Sequence, residues 1–328
     1  MKSNSDSRPN SQFTGQFQFL EVVSDNDWDI ALNESRQNNV FLSSEFLKIY
    51  SNDFYRFFIT LEDEVIGGLV HNAANRGKEG GSNFSTYHSL FYRDKIIDLS
   101  DLTKTYSLYA IVKRLSFQEK FRLSLHPTLT DIRGVDWFKF DFPETSVSYQ
   151  VKYTGELMLE NFCHIDEYWN TVPKKRKQEY TKSCEINELF VGDLGDLSDF
   201  MEIYKSTFLS QGKIVTEDEV NEVTRIAAST IRSGIGHLLG SKNRATGQLL
   251  GFVFILDHCN SVYYLFASST KEGRVFHSNT FLLGEVIKKG IVDKKVKFDF
   301  VGLNSPKRSF YKASFNPILT PYFEIFNA

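Results

Sequence analysis

Cysteine is scarce in this sequence, which contains only Cys163, Cys184 and Cys259 among its 328 residues. An odd number of widely separated cysteines argues against a disulfide framework. The sequence also has no CxxC or mixed Cys/His spacing of the kind that binds zinc. We therefore predict that the thiols are reduced and that the protein binds no metal.

Long apolar runs are missing as well. The longest, such as Leu249–Leu256, have the length of a strand and are too short to cross a bilayer. Residues 1–15 are polar and lack the apolar core of a signal peptide, so we predict a disordered tail. Together these features predict a cytoplasmic protein without a membrane span.

Neither sign of charge dominates the chain. It has 38 Lys and Arg residues against 41 Asp and Glu residues, a net charge of −3. No global field draws such a protein to nucleic acid or to an anionic membrane, and we predict that DNA is not a partner. A local basic segment could still bind phosphate. The length suits two domains, and an aromatic content of 15% is enough to fill two cores.

The order of predicted elements repeats: a strand, two helices, a hairpin, a strand, a helix and a strand appear in both halves. In the first half, the last two strands are predicted at Phe121–His126 and Trp137–Phe142. In the second half, strands at Ser261–Ser269 and Lys297–Val301 flank a helix at Asn279–Lys289. A duplicated mixed α/β unit is the simplest account of this order.

The joint between the repeats is expected near Gln150–Glu160, where the sequence runs from one unit into the next. We therefore predict a tail at 1–15, an N-terminal domain at 16–155 and a C-terminal domain at 156–328. The predicted fold class is α/β with mixed sheets.

Several short segments resemble one known family. They are Phe41–Phe46, Val172–Lys177, Phe298–Asn304 and Ser309–Phe315. In order and spacing they are similar to the opening segment, the basic segment of the second half and the closing signature of the tandem-GNAT acyltransferases related to the Fem (methicillin-resistance type) aminoacyl transferases. The resemblance covers roughly residues 17–325.

The resemblance implies two GNAT-like domains in tandem, in which strands splay apart to admit an acyl donor. It also implies transfer of an acyl or aminoacyl group to an amine of a small molecule, an amino sugar or a cell-envelope precursor. The active site is then expected in the C-terminal half or in the cleft between the halves, with acyl-CoA as the donor.

Two departures from the family pattern affect these expectations. Phe315 is followed by Asn316 and Pro317 where the family has glycine, so the turn there must differ. GNAT proteins hold the coenzyme A pyrophosphate on a glycine-rich turn, but the corresponding stretch Thr270–Ser278 has a single glycine. The equivalent loop of the first half, Tyr92–Asp98, has none, so a donor site is expected in the second half.

Three residues are predicted to be catalytic. Lys312 either supplies positive charge to the transition state or is a surface lysine. Asp299 alternates with Phe298 and Phe300, so it faces the other side of its strand, where it either binds the acceptor amine or bonds a neighbouring loop. Tyr264 is predicted to be the acid for the leaving group, with packing as the alternative.

A second group of residues is predicted to bind the phosphates of the donor. Lys175 and Arg176 lie in a run of four cations after Pro173, at a helix start, where a counter-anion would relieve their repulsion by the helix dipole. A solvated basic turn is the alternative. Arg274 and Ser278 are predicted to join them from the loop before the next helix.

No Ser-His-Asp or Cys-His arrangement is visible, which favours direct attack by the acceptor amine over a covalent enzyme intermediate. The sequence therefore predicts an N-acyltransferase that uses acyl-CoA and a small-molecule amine. Two alternatives remain open: aminoacyl-tRNA-dependent transfer of the Fem type, and a non-catalytic binding protein with degenerate GNAT domains.

Overall fold

The computed structural model describes residues 16–50, 54–72, 86–94, 100–117 and 120–327. The chain forms two compact units. The first contains the described residues up to Lys152 and those from Pro321 onward, and the second runs from Tyr153 to Thr320. The predicted tail at 1–15 lies outside the described residues, and the predicted domain boundary at 155/156 stays a prediction.

The first unit is built on short strands and helices from the N-terminal part of the chain. Its strands are β1 (Phe17–Glu21), β2 (Phe54–Leu61), β3 (Glu64–Asn72), β4 (Leu90–Tyr92) and β5 (Arg122–Ser124). Its helices are α1 (Asp25–Asn33), α2 (Ser44–Leu47), α3 (Asp101–Ser116) and α4 (Arg133–Asp141), with 3₁₀ turns at Val40–Leu42 and Lys48–Tyr50. Strands β1 to β4 form an antiparallel sheet in chain order.

Helix α4 corrects one prediction, because Trp137–Phe142 was expected to be a strand and most of it is helical. Residues two apart lie on the same side of a strand, yet Phe138 is fully buried while Phe140 is 85% exposed. Val135, Phe138 and Phe142 recur at helical spacing and pack into the core of this unit. The high aromatic content of the segment suggested a strand, but the periodicity of burial is that of a helix.

The second unit consists of a sheet and the helices that connect its strands. Strands β6 (Val147–Met158) and β12 (Ile318–Asn327) contain the points where the chain passes between the units. The other strands are β7 (Asn187–Gly192), β8 (Gly236–Asn243), β9 (Leu249–His258), β10 (Ser261–Ser269) and β11 (Lys297–Asp299). The helices are α5 (Ile165–Thr171), α6 (Lys174–Ile186), α7 (Leu197–Leu209), α8 (Glu217–Ser233), α9 (Lys271–Val275), α10 (Ser278–Val292) and α11 (Pro306–Ala313), with a 3₁₀ turn at Leu159–Asn161.

The core of the second unit covers both faces of its sheet. Leu283 and Ile287, one turn apart on α10, are fully buried against residues such as Val253 of β9. On the other face, Phe200 of α7 contacts Phe266 of β10 at 6.5 Å between ring centroids. A sheet covered on both faces explains why β9 is apolar along nearly its whole length.

The strand order in the second unit is β6-β11-β10-β9-β8-β7, and only the pair β10 and β11 is parallel among the registers observed. This pair is short: Tyr263 opposite Asp299 is its last register position, whereas β10 continues to Ser269. An irregularity between Tyr264 and Phe266 follows directly. The parallel strands therefore diverge after Tyr263 and Asp299, as the resemblance implied.

Among the described residues, no helix combines the length and the apolar character that crossing a bilayer requires. In the same part of the chain, no group of three or more His, Cys, Asp or Glu side chains is placed to hold a metal ion.

The glycine of α9 yields a stability prediction. A Cβ on Gly273 would lie 1.9 Å from the carbonyl oxygen of Leu250, and a backbone atom cannot move aside easily. We expect Gly273→Ala to lower the free energy of unfolding by about 2–3 kcal/mol. Gly234 is the matched control, because its φ of +80° makes alanine strained but the space around it is open. Gly234→Ala should cost about 1 kcal/mol, as measured by urea denaturation. Equal losses would contradict the steric account.

Candidate active site

Lys312 lies where the parallel strands diverge. Helix α11 begins with Pro306 in its first turn and carries Lys312 in its last turn. The Lys312 ammonium donates to the carbonyl oxygens of Phe300 at 2.6 Å, Val301 at 3.2 Å and Gly302 at 3.0 Å. These carbonyls belong to the segment that leaves β11, so Lys312 binds the chain at the point where the ladder ends.

The segment after β11 owes its shape to Asp299 and Thr154. Val301 and Gly302 both have positive φ, 47° and 81°, and such a conformation is costly for valine. The Asp299 carboxylate accepts from the amide of Val301 at 2.8 Å and from the Thr154 hydroxyl at 2.6 Å. The same hydroxyl accepts from the amide of Gly302 at 3.2 Å. These bonds hold the strained backbone and aim its carbonyls at Lys312.

The electrostatics of this cluster are set by burial. Burial and, to a smaller extent, the nearby Arg308 charge lower the pKa of Lys312 to about 7, against the opposing effect of Asp299. Burial likewise raises the pKa of Asp299, against the opposing charge of Lys297. Asp299 is fully buried, and its Oδ2 atom has no hydrogen-bond partner among the described residues. Asp299 and Lys312 thus influence each other without direct contact.

Tyr264 lies beneath Lys312, whose ammonium is 5.1 Å from the centroid of the tyrosine ring. Its ring also contacts those of Phe298 and Phe300, on the face of the sheet opposite Asp299. Burial raises the pKa of Tyr264, so the phenol keeps its proton at neutral pH. The structure therefore brings Lys312 and Tyr264 together and connects Asp299 to Lys312 through the 300–302 segment.

Arg176 is held inside the second unit. Its guanidinium donates to Ser314 at 2.9 Å and to Thr280 at 2.8 Å, and it pairs with Glu179. It also lies 4.6 Å from the centroid of the Tyr311 ring. These contacts bind α6 to the start of α10 and to the end of α11. Lys175, next to Arg176 in the first turn of α6, is exposed.

Two other predicted phosphate ligands also have partners within the protein. The Arg274 guanidinium donates to the carbonyl of Ser269 at 3.1 Å, although the residue is exposed. Ser278 is fully buried and shares a hydrogen bond of 2.6 Å with Ser241. Neither is brought to Lys312 by any contact observed among the described residues, and their role in binding a donor stays a prediction.

Sequence reasoning missed two residues of this cluster. Thr154 is separated from Asp299 by 145 residues, and no local pattern links the two. Arg308 could have been found, because it precedes Lys312 by one helical turn and its charge therefore acts on the lysine.

Known proteins resemble this chain in structure but not in sequence. The sequence matches no protein-family model and no curated protein. Among solved structures it is similar to FemX, with a TM-score of 0.66 and 10% identity over 93% of this chain and 96% of that one. It is also similar to the C-terminal domain of a putative lysylphosphatidylglycerol synthetase from Agrobacterium fabrum, with a TM-score of 0.54 and 8% identity over 93% and 92%.

A third similar structure is L-PGS from Bacillus licheniformis, with a TM-score of 0.53 and 12% identity over 95% of this chain and 94% of that one. Likeness at these identities shows the fold. The predicted α/β architecture of two GNAT-like units in tandem, and the predicted resemblance to Fem proteins at the level of the fold, are therefore confirmed.

The cluster predicts how Lys312 titrates. The extent to which an amine-specific reagent labels Lys312 is measured by mass spectrometry at a series of pH values. The labelling should have its midpoint near pH 7, whereas an ordinary lysine titrates near about 10.4. Arg308→Gln removes a like charge and should raise this midpoint. Arg232→Gln, which removes an exposed arginine at the end of α8, is the control and should leave it unchanged. A midpoint near 10 in the unaltered protein would contradict the burial account.

The network around Thr154 predicts a loss of stability. Thr154→Val removes the acceptor of the Gly302 amide and one donor to Asp299, so buried polar groups lose partners. We expect a cost of about 1–3 kcal/mol in the free energy of unfolding, measured by urea denaturation. Thr154→Ser keeps the hydroxyl and should cost clearly less. If serine and valine are tolerated equally, the hydroxyl does not hold the segment.

Proposed function

We propose that the second unit is an N-acyltransferase in which an acceptor amine attacks an activated carbonyl beside Lys312. The observation that carries this proposal is the partly buried ammonium of Lys312 at the divergence of β10 and β11, above the Tyr264 ring. The fold shared with FemX supports the choice of reaction class.

In the proposed step, the neutral acceptor amine forms a bond to the donor carbonyl carbon, and the carbonyl oxygen becomes negatively charged. That oxyanion is stabilised by the positive charge of protonated Lys312, which with a pKa of about 7 is present in part of the molecules at neutral pH. Because the carbonyls of Phe300, Val301 and Gly302 accept from Nζ, Lys312 is proposed to act on the oxyanion through its charge and not through a further hydrogen bond. Collapse of the intermediate breaks the bond to the leaving group, which takes up the proton that the amine loses.

Tyr264 and Asp299 have supporting parts in this proposal. Tyr264 is proposed as the acid for the leaving group because its phenol is protonated and its ring lies under Lys312, although its raised pKa makes it a weaker acid than an exposed tyrosine. Asp299 holds the segment that binds Lys312, and because it is fully buried its proposed part is to position Lys312 without touching the acceptor amine.

For the donor we propose acyl-CoA first, with its phosphates bound near the start of α10 by Arg274 and Ser278 and near the start of α6 by Lys175 and Arg176. Of these side chains, exposed Arg274 and Lys175 are the ones that can turn outward to a ligand. The test is titration calorimetry with acetyl-CoA, in which heat of binding supports this donor.

The second candidate is aminoacyl transfer from charged tRNA. One observation weakens the first candidate: Arg176 and Ser278, two of the proposed phosphate ligands, have polar atoms engaged within the protein. A salt-sensitive gel shift with aminoacyl-tRNA, together with no heat from acetyl-CoA, would select this donor. If neither binds, the non-catalytic alternative replaces both. The cytoplasmic location stays a prediction.

The proposal predicts that Lys312→Met lowers turnover at least about tenfold, because methionine keeps the length of the side chain but not its charge. Turnover is measured as donor consumption with a panel of amine acceptors. Lys205→Met, which removes an exposed lysine on α7, is the control and should leave turnover unchanged. Circular dichroism of both variants checks that they are folded. Normal turnover in folded Lys312→Met would remove Lys312 from the active site.

A further inference from the structure

The first unit contains a cavity of about 320 Å³ that the proposed reaction does not use. It lies beside β4, the first turns of α3 and the segment that follows β5. Its wall combines apolar side chains, Leu90, Leu108 and Leu125, with charged ones. Ligand cavities start at about 300 Å³, so this one lies at the small end of the range and is large enough for a molecule of amino-acid size.

The cavity forms because the backbone segments around β4 and β5 separate. The amide of Ser89, just before β4, donates to the carbonyl of Ser124 at 3.3 Å. Further along, Gln37 takes over as a bridge between the two segments. Its side-chain carbonyl accepts from the amide of Tyr92 at 2.9 Å, and its amide nitrogen donates to the Thr128 hydroxyl at 3.0 Å. Gln37 is only 5% exposed, so a buried and satisfied amide forms the inner wall.

Two ion pairs line the cavity. The Arg36 guanidinium is 3.9 Å from Asp94, and the Lys104 ammonium is 3.8 Å from Asp101. The Asp94 carboxylate also accepts from the backbone amide of Arg36. Because both side-chain separations exceed hydrogen-bonding distance, all four side chains keep the capacity for a hydrogen bond to a ligand.

Asp131 is different, although it also lines the cavity. Arg133 and Thr105 hold its carboxylate at 2.7 Å, and the bond from Arg133 is the main cause that lowers its pKa to about 2. Its charge is therefore already compensated within the protein. The charges left for a ligand are two cations and two carboxylates, which suit a molecule that carries both signs.

The apolar wall defines the rest of such a ligand. Leu90, Leu108 and Leu125 are buried, with at most 2% of their surface exposed. These leucines expose little surface, and Leu129, which is partly exposed, adds apolar surface to the lining. An aliphatic or aromatic group placed there would lose contact with water, which favours binding by about 25 cal/mol per Å² buried.

From this arrangement we infer that the first unit binds a small zwitterion with an apolar body, of the class of an apolar α-amino acid. Its carboxylate is bound by Arg36 and Lys104, its ammonium by Asp94 and Asp101, and its side chain by the leucines. This site belongs to the first unit alone, and binding there does not require transfer activity in the second.

The test is titration calorimetry of the full chain with L-leucine and L-phenylalanine. Two analogues keep the apolar body but lack one charge: 4-methylpentanoate has no ammonium and isoamylamine has no carboxylate. We expect the amino acids to bind and each analogue to bind at least about tenfold more weakly. Absence of heat from both amino acids, or equal affinity for the analogues, would overturn the inference.

Substitutions of lining residues test whether the amino acid binds in this cavity. Lys104→Met and Arg36→Gln, the latter at a side chain that is 82% exposed, should each weaken binding about tenfold. Lys113→Met is the matched control, because Lys113 is a partly exposed lysine of the same helix that does not line the cavity. Lys312→Met tests the other unit. Binding that survives Lys104→Met but is lost in Lys312→Met would assign it to the second unit and overturn the inference.

Discussion

The candidate active site depends on how the backbone is bonded after β11 ends. Once β10 and β11 diverge, the amides and carbonyls of residues 300–302 need other partners, because unpaired buried backbone groups are costly. Asp299 and Thr154 accept from the amides, and Lys312 donates to the carbonyls. A buried aspartate and a buried lysine are therefore needed structurally, and the same need leaves an ammonium at the opening between the strands.

In both units, side chains bridge backbone segments that separate, but the bridging groups differ in charge. In the first, Gln37 bridges the separating segments with a neutral amide, and charged groups remain at the rim of the cavity. In the second, the bridging groups are charged: Asp299 is fully buried and Lys312 is partly buried. A neutral bridge suits reversible binding of a ligand, whereas a buried charge can respond to charge that develops in a reaction. This contrast is why we propose chemistry in one unit and binding in the other.

Much of the fold could be predicted from the sequence, because strands and helices differ in the period of their apolar residues. The helix α10 and the strand β10 were found in this way. The prediction failed at Trp137–Phe142, where aromatic composition outweighed a helical period that only the burial of Phe138 makes plain. Alternation did predict correctly that Asp299 faces away from Phe298, since that relation is local to one strand.

The sequence by itself determined the class of fold, the local order of elements and the candidates Lys312, Asp299 and Tyr264, all of which depend on residues close in the chain. Tertiary structure alone decided what those side chains touch. It paired Asp299 with Thr154, engaged Arg176 within the protein, and lowered the pKa of Lys312 through burial. The physical reason is that burial and hydrogen bonding depend on distances in space, and residues far apart in the sequence supply most of the partners.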